Sequence, residues 1–535
     1  MNVKRHCGVC VGLFAALAIA PPAQARTEIT PYLEVGQIIS ADLKGSNEVL
    51  TYSQVAAGVD ASVSNRRSQA QVSYRYERRI SWDDKVQDGD VHSGLARAGY
   101  QVIPNTLTIE AGALATRARV DGRGDAPGLL VGNVDNVTQV YSVYAGPSFK
   151  TEAGPLQVNA AYRLAYTKVE ADDIVLAPGQ PRLDNYDDSE SHLVTASVGM
   201  GPGELPFGWT VAGAYEREDA GQLDQLFDRK GIRGDAIVPV SPTVAIVGGV
   251  GYEDIEASQR APILNLAGAP VVNAKGRFIT DPASPRLLAY DLDGIYWDVG
   301  VAWRPSSRTS VEARIGRRYG SMSYTGSLSY QMNQATALAV VVYDEIQTFG
   351  QQLNDNLALL PTNFATVSNP LAPQFGGCVF GSGGSAGGCL NPAFQSINSS
   401  VYRTRGVTAA MSRQRGPWSM GVGLGYAQRK YETPIIAGAT FNLNGVRDES
   451  WFGQGQVAYQ IDEKSQVDAQ IFASLYDSGI LNAPNVLSTG VTSSYRRTFG
   501  RRLSGLAAIG LYSSKVEGQE GDLNASALLG MRYSF

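Results

Sequence analysis

From Ile29 to Phe535 the chain alternates apolar and polar positions with a period of two. Val55, Ala57, Val59, Ala61 and Val63 are separated by Ala56, Gly58, Asp60 and Ser62. After a break at Asn65-Arg66, the set Ala70, Val72, Tyr74 and Tyr76 alternates with Gln71, Ser73, Arg75, Glu77 and Arg79. Leu156 to Tyr166, Trp418 to Tyr426 and Val467 to Leu475 repeat the pattern. Successive side chains of a strand point to opposite faces, so each segment has one apolar and one wet face. The segments run about ten to fourteen residues. A strand in a soluble sheet averages about five to six, whereas a tilted strand crossing a bilayer needs about 9–11. No amphipathic helical period is read between them.

The connections alternate in length. Short ones fall at Asn65-Arg66, Pro104-Asn105, Ala153-Gly154, Arg304 to Arg308, Arg415-Gly416, Asp462 to Lys464 and Gly500-Arg501. Long ones fall at Asp121 to Asn136, Glu170 to Ser189, Glu256 to Asp293, Gln347 to Ser399 and Tyr431 to Asp448. The pattern predicts an all-β chain: a single transmembrane antiparallel up-and-down β-barrel of about 22 strands, within a range of about 18–24. Short turns would face the periplasm and long loops the exterior. So wide a lumen is filled in known large barrels. Glu256–Asp293 or Gln347–Ser399 is expected to fold inward and narrow it.

The two ends of the chain add an address. Lys4 and Arg5, the apolar run Val9 to Ala20, Pro21-Pro22 and Ala23-Gln24-Ala25 form a secretory signal, with residues 1–25 expected to be removed and 26–535 to form the barrel. Cys10 lacks the small-residue context of a lipid-anchored leader. Strand pattern begins at Ile29, which leaves no room for a folded plug domain ahead of the barrel. At the other end Ala527, Leu529, Met531, Tyr533 and Phe535 alternate with polar or small residues. A last strand ending on Tyr533 and Phe535 resembles the signal read by the outer-membrane assembly machinery. The expected location is the outer membrane of a Gram-negative bacterium, in contact with its lipid and lipopolysaccharide.

Composition narrows function. The formal charge of −5 becomes −7 once Lys4 and Arg5 leave, which argues against nucleic acid. The mean hydropathy of −0.13 is low for a membrane protein, as it must be when apolar residues occupy alternate positions. Ten of the 45 basic residues are lysine. Arginine keeps its charge and pairs in a fork, which suits a lumen wall. The 26 tyrosines suit interfacial girdles.

Chemistry-bearing residues are few. His92 and His192 sit in no catalytic motif, so the chain reads as a non-enzyme with no metal and no cofactor. Cys378 and Cys389 flank a Gly/Ser-rich stretch, and in an oxidising compartment they form a disulfide candidate. By parity the lumen face carries Asp60, Arg75, Glu77, Arg79, Arg97, Glu110, Arg163, Asp298, Arg304, Glu312, Arg314 and Arg318. These charges could pair across strands and stiffen the wall, or line a pathway for sugars or anions. The acidic group Asp184, Asp187, Asp188 and Glu190 could hold a divalent cation, although a solvated loop is the commoner outcome. Tyr290-Asp291-Leu292-Asp293-Gly294 resembles a fragment of a calcium loop without its remaining ligands. Arg123-Gly124-Asp125 and Arg233-Gly234-Asp235 look like adhesion tripeptides and are read as coincidence.

One stretch is more specific. Val301-Ala302-Trp303-Arg304-Pro305-Ser306-Ser307-Arg308-Thr309-Ser310-Val311-Glu312-Ala313-Arg314-Ile315-Gly316-Arg317-Arg318-Tyr319 resembles a recurring hairpin of one family. These are the outer-membrane β-barrels associated with PEP-CTERM/exosortase and exopolysaccharide systems, the EpsL-like, β-barrel-porin group. Ile29-Thr30-Pro31-Tyr32-Leu33 is similar to that family's first strand, although Ala41-Asp42-Leu43 departs from its usual Asp-Asn pair. The resemblance implies a porin-like barrel with exopolysaccharide as a partner, and carries over no functional residues. The rival readings are a non-conducting barrel that presents loops to polysaccharide or a partner, and a barrel enzyme acting on lipid.

Overall fold

The computed structural model describes residues 26–44, 49–82, 89–124, 136–170, 180–366, 371 and 375–535. The leader 1–25 lies outside them. Along the chain come β1 (Arg26–Lys44), β2 (Val49–Ser64), β3 (Ser68–Ser81), β4 (Gly89–Ile103), β5 (Leu107–Arg119), β6 (Val137–Ala153), β7 (Leu156–Glu170) and β8 (Asp188–Met200). Then follow β9 (Gly208–Ala220), β10 (Gln225–Pro239), β11 (Val244–Gln259), β12 (Leu287–Ser306), β13 (Thr309–Arg318), β14 (Ser321–Asn333) and β15 (Thr336–Gln347). A helix, α1 (Phe349–Leu359), and a small hairpin, β16 (Cys378–Phe380) with β17 (Gly387–Cys389), interrupt the series. It resumes with β18 (Val401–Arg415), β19 (Trp418–Glu432), β20 (Arg447–Asp462), β21 (Ser465–Asp477), β22 (Val486–Phe499), β23 (Leu503–Val516) and β24 (Asp522–Ser534).

Twenty-two of these strands form one antiparallel sheet, each paired to its neighbours in chain order, with β15 joined to β18 and β1 to β24. Satisfying every ladder by neighbours on both sides is what a strand needs where no water can serve. Parity follows the pattern in the sequence. On β12, Trp297, Val299, Val301 and Trp303 are 45–48% exposed on the outer surface. On β19, Trp418, Met420, Val422 and Leu424 do the same at 40–55%. Strand after strand this makes an apolar outer band, with tyrosine, tryptophan and histidine at its rims.

Connections at one end are short, at 65–67, 104–106, 154–155, 416–417 and 463–464 among others. Those at the other end are mostly long. A few there are short, at 221–224 and 517–521, and the tightest joins β13 and β14 by Tyr319-Gly320 alone. Both residues have positive φ, 53° and 70°, the backbone of a tight hairpin turn. The loop expected from Glu256 to Asp293 is shorter, because β11 runs on to Gln259 and β12 starts at Leu287. Tyr290 to Gly294 is therefore strand and not a calcium loop, with Asp291 and Asp293 opposite Glu256 and Asp254.

The largest apolar cluster lies inside the ring. Residues of the 348–400 connection (Phe349, Leu353, Leu357, Leu360, Phe364, Val379, Leu390, Ala393 and Ile397) pack on Leu95, Leu114, Val140, Tyr144, Ala165 and Val169 of β4 to β7. The described residues of Gln347–Ser399 thus fold inward as a plug. The helix within it corrects the reading that no helix interrupts the strands. Its signal was available in Thr348-Phe349-Gly350-Gln351, a capping box in which Thr348 Oγ1 accepts from Gln351 N at 3.2 Å and Gln351 Oε1 from Thr348 N at 3.0 Å.

Candidate functional site

The plug is held by wall residues that match the polarity of its helix. At the helix N-terminus the Thr348 hydroxyl donates to Glu218 of β9. At the C-terminus Arg97 of β4 donates to Ala358 O at 2.9 Å and stacks over the Tyr144 ring at 5.3 Å. An anion at the positive end and a cation at the negative end are each worth about 0.3–1 kcal/mol, up to about 2 when partly buried. Between the ends, Asn354 bridges Ser142 and Thr167 at 2.7 and 3.0 Å. Gln352 accepts from Tyr402 of β18 at 2.8 Å, and Arg163 pairs with Asp355. Arg97 and Arg163 are therefore plug holders.

The far part of the plug crosses to the opposite wall. Cys378 and Cys389 are joined in a disulfide across β16 and β17, with Cα atoms 3.9 Å apart. The hairpin sits on β19, where Gly421, Gly423 and Gly425 face inward. A Cβ on Gly421 would lie 2.4 Å from the Phe380 ring, and one on Gly423 would lie 2.3 Å from Cys378 Sγ. Glycine in a strand interior marks such a close approach. Gln454 of β20 accepts from Cys378 N at 2.8 Å. Arg429 and Asp448, both wholly buried and 2.6 Å apart, hold the last turn of the plug through Ser396 O and Gln395.

Beside the plug the lumen face is left partly uncovered from β5 to β15. A cavity of about 1010 Å³ reaches from the short turn at Asn105-Thr106 up to Arg229, Arg233, Glu253, Tyr296 and Arg318. A second, of about 430 Å³, shares Arg233, Tyr296 and Arg318 with it and adds Asp235, Asp298, Glu312 and Arg314. Arg233 reaches Asp298 at 2.7 Å and Asp235 at 2.8 Å. Arg314 reaches Glu312, Asp235 and Asp298 at 2.6–2.9 Å. Arg318 reaches Glu253 at 2.6 Å. The Arg233 and Arg318 guanidinium groups lie over the Tyr296 ring at 5.6 and 4.7 Å. These charges cross-brace β10 to β13, mostly reaching over an intervening strand, and still face the cavities.

On the plugged side, Arg75 reaches Glu34 at 2.8 Å and Glu77 at 3.1 Å, while Arg79 reaches Glu77 at 2.7 Å. Asp60 pairs with Arg532 at 2.9 Å. Glu110 and Arg304 are exposed on the lumen parity at the short-turn end. The parity reading passed over Glu34, Arg229, Arg233, Asp235 and Glu253. Arg233-Gly234-Asp235, which reads as an adhesion tripeptide, belongs to the lumen network. Arg123 of the other tripeptide is buried against Asp121 at 2.6 Å, and its Asp125 lies outside the described residues.

The remaining candidates disperse. His92 faces outward beside Tyr74, whose hydroxyl is 2.7 Å from Nδ1, and Tyr76 and Tyr141 complete a rim cluster. His192 sits likewise by Tyr162 at 2.8 Å and Glu190 at 3.2 Å. The four acids do not converge: Asp187 pairs with Arg277 at 3.1 Å, Asp188 accepts from Tyr166 at 3.3 Å, and Glu190 goes to His192. Asp184 instead ties three loops, accepting from Gln222, from Phe278 N at 2.9 Å and from Ser399 at 2.8 Å. Burial pushes its carboxyl up to about 6, against the lowering by these donors and by Arg277. Beside this knot Leu183, Tyr402, Tyr431, Leu443 and Ile480 cluster, so the described loops form a cap over part of the long-loop mouth. Tyr533 and Phe535 end the chain with rings in edge contact at 5.2 Å.

No family model matches the chain, and no curated protein does. Among solved structures the chain is similar to the FrpB iron transporter from Neisseria meningitidis (F5-1 variant), at 11% identity and a TM-score of 0.43, over 95% of this chain and 82% of that one. It is similar to the siderophore receptor PiuA from Acinetobacter baumannii at 9% and 0.43, over 94% and 82%. The ferric-catecholate import receptor Fiu from E. coli K12 gives 10% and 0.42, over 94% and 81%. Likeness at this level assigns neither family nor cargo. The wall itself is informative: a ring of bilayer-length strands, apolar outside and charged inside, belongs in the outer membrane of a Gram-negative cell.

Proposed function

We propose that this barrel is a porin-like passage protein whose solutes move beside a fixed plug. The supporting observation is the uncovered side of the lumen, about 1010 Å³ of cavity lined by arginines, acids and hydroxyls. Arginine and carboxylate alternate there, so the wall offers hydrogen bonds in both senses without a strong field of one sign. That suits small neutral polar solutes better than a single kind of ion. The family resemblance adds the setting of exopolysaccharide export or surface assembly, with the assembly machinery and lipopolysaccharide as the barrel's own partners. Planar-bilayer recording tests the reading. The wild type should conduct, and deleting 350–397 with a short replacement linker should raise the conductance severalfold. A silent bilayer for both proteins would favour a non-conducting surface barrel, the second reading, which the partly capped mouth supports.

A further inference from the structure

The backbone ladder of the wall is incomplete at one place. The β12–β13 ladder stops at Trp297 opposite Arg317, and the β14–β15 ladder stops at Gly326 opposite Val342. Beyond these points β12 runs on for ten residues paired to β11, and β15 runs on to Gln347 paired to β18. The short β13–β14 hairpin ends at Tyr319-Gly320 and leaves a notch between them. An unpaired edge cannot face hydrocarbon. The outward residues at this level agree: Trp297 and Tyr324 mark the interface, and Asp254 and Asp293 follow above it.

The notch is covered by overlap and not by a ladder. Phe227, Ile255 and Ala257, on the inner face of β10 and β11, pack with Ile346 and Val401, on the outer face of β15 and β18. Ala289, Tyr290 and Leu292 of β12 join that cluster. Below it Arg403 lies across the hairpin turn, donating to Tyr319 O at 3.3 Å and Ser321 Oγ at 2.7 Å while pairing with Asp344 at 2.7 Å. The wall is thus lapped, one margin over the other, with no backbone ladder among the described residues of the joint.

A cavity of about 360 Å³ lies beside this joint, in the fork where the end of β13 leaves β12. Three of its lining residues, Glu253, Tyr296 and Arg318, also line the lumen cavity, while Ile295, Trp297 and Arg317 belong to the outer face. The space therefore adjoins the lumen cavity at the level of the notch. Upward, Asp184 ties the described loops over this part of the lumen through Gln222, Phe278 and Ser399.

We infer that the lapped seam between β12 and β15, at headgroup level, is the port through which polar solutes pass between the lumen and the exterior. The inference rests on the passage reading proposed above. Side-chain packing opens at lower cost than a ladder of backbone hydrogen bonds, so this margin is the part of the wall that can part.

Cysteine pairs across the seam test it: Leu292→Cys with Ile346→Cys, and Ala289→Cys with Val401→Cys, bridged by a short, reducible bis-thiol reagent in the full-length protein. The control is Glu256→Cys with Asp291→Cys, directly opposed within the β11–β12 ladder. Heat-modifiable migration verifies that each variant is folded. Bridging the seam should lower single-channel conductance by about tenfold or more, reduction should restore it, and the control should not change. Full conductance in the bridged protein would overturn the port and leave passage standing. Seam cysteines that label singly but cannot be bridged would overturn the lapped joint. Absence of conductance in the wild type would overturn passage itself, and the port with it.

Discussion

Gly423→Val is the most demanding test of how the plug is seated. Gly423 has ordinary extended backbone on β19, so the substitution carries no penalty of conformation. Its penalty is steric. The new Cβ would lie 2.3 Å from Cys378 Sγ, 2.8 Å from Cys378 Cβ and 3.1 Å from Cys389 Sγ. Non-bonded carbon contacts settle near 3.5–4.0 Å. The hairpin must therefore retreat by more than about 1 Å, and the two γ-methyls demand more. Overpacking of this kind costs about 1–3 kcal/mol. The ladders around β19 do not depend on the hairpin, so the cost falls on the plug. At about 1.4 kcal/mol per factor of ten, the population with the hairpin lifted rises by about 5- to 150-fold. Cys378 and Cys389 are 6% and 8% exposed, so reduction by a weak, water-soluble reductant reports that population. The half-time of reduction in the folded barrel should shorten within that range, and single-channel conductance should rise. Gly99→Ala and Gly234→Ala, where a Cβ meets nothing within 4 Å, are the controls. If Gly423→Val reduces no faster than the controls and conducts as the wild type does, the plug is not seated on the glycine stripe.

Three further outcomes follow from the same contacts. Replacing Cys378 and Cys389 by serine opens a ring whose ends are 11 residues apart; it should cost about 2–3 kcal/mol in the plug, seen as faster protease cleavage within 375–392 and unchanged heat-modifiable migration. Arg97→Met removes the donor to Ala358 O and the charge at the helix C-terminus, and should loosen the plug by about 1–2 kcal/mol, read as hydrogen exchange in 349–360; unchanged protection would remove Arg97 from the holding role. Asp184 binds its proton more tightly folded, at about 6, than unfolded, near 3.8. Its contribution is therefore full below about pH 4 and is lost as pH rises through 6, by about 3 kcal/mol at most. Loops 180–187 and 260–286 should accordingly be better protected from protease at pH 5 than at pH 8, and Asp184→Asn should flatten the difference.

The period of two carried most of this architecture. Strand number, the sides on which Trp297 to Trp303 and Trp418 to Leu424 face, and the alternation of short and long connections all follow from it, because a bilayer enforces the alternation along every strand. What it does not carry is whatever breaks the repeat. Tyr319-Gly320 is short where the alternation of lengths calls for a long loop, and nothing in a period of two marks a hairpin that ends early. The helix at Phe349–Leu359 is amphipathic toward a lumen wall that is itself mixed, so its capping box was the better signal than its periodicity. Parity put Arg75, Asp298, Arg314 and Arg318 on one face. It did not name their partners, since Glu34, Asp235 and Glu253 sit one or more strands away and pairing depends on stagger. Nor could it show that Arg97 meets a helix end and not a carboxylate.

The plug is tethered at both ends, between β15 and β18, and its thiols are enclosed by the finished wall. Cys378 and Cys389 are therefore most open to an oxidant before β1 reaches β24, and afterwards only when the hairpin lifts. Maturation of this barrel favours one order: the bond inside is made first, and the staves are drawn together around it.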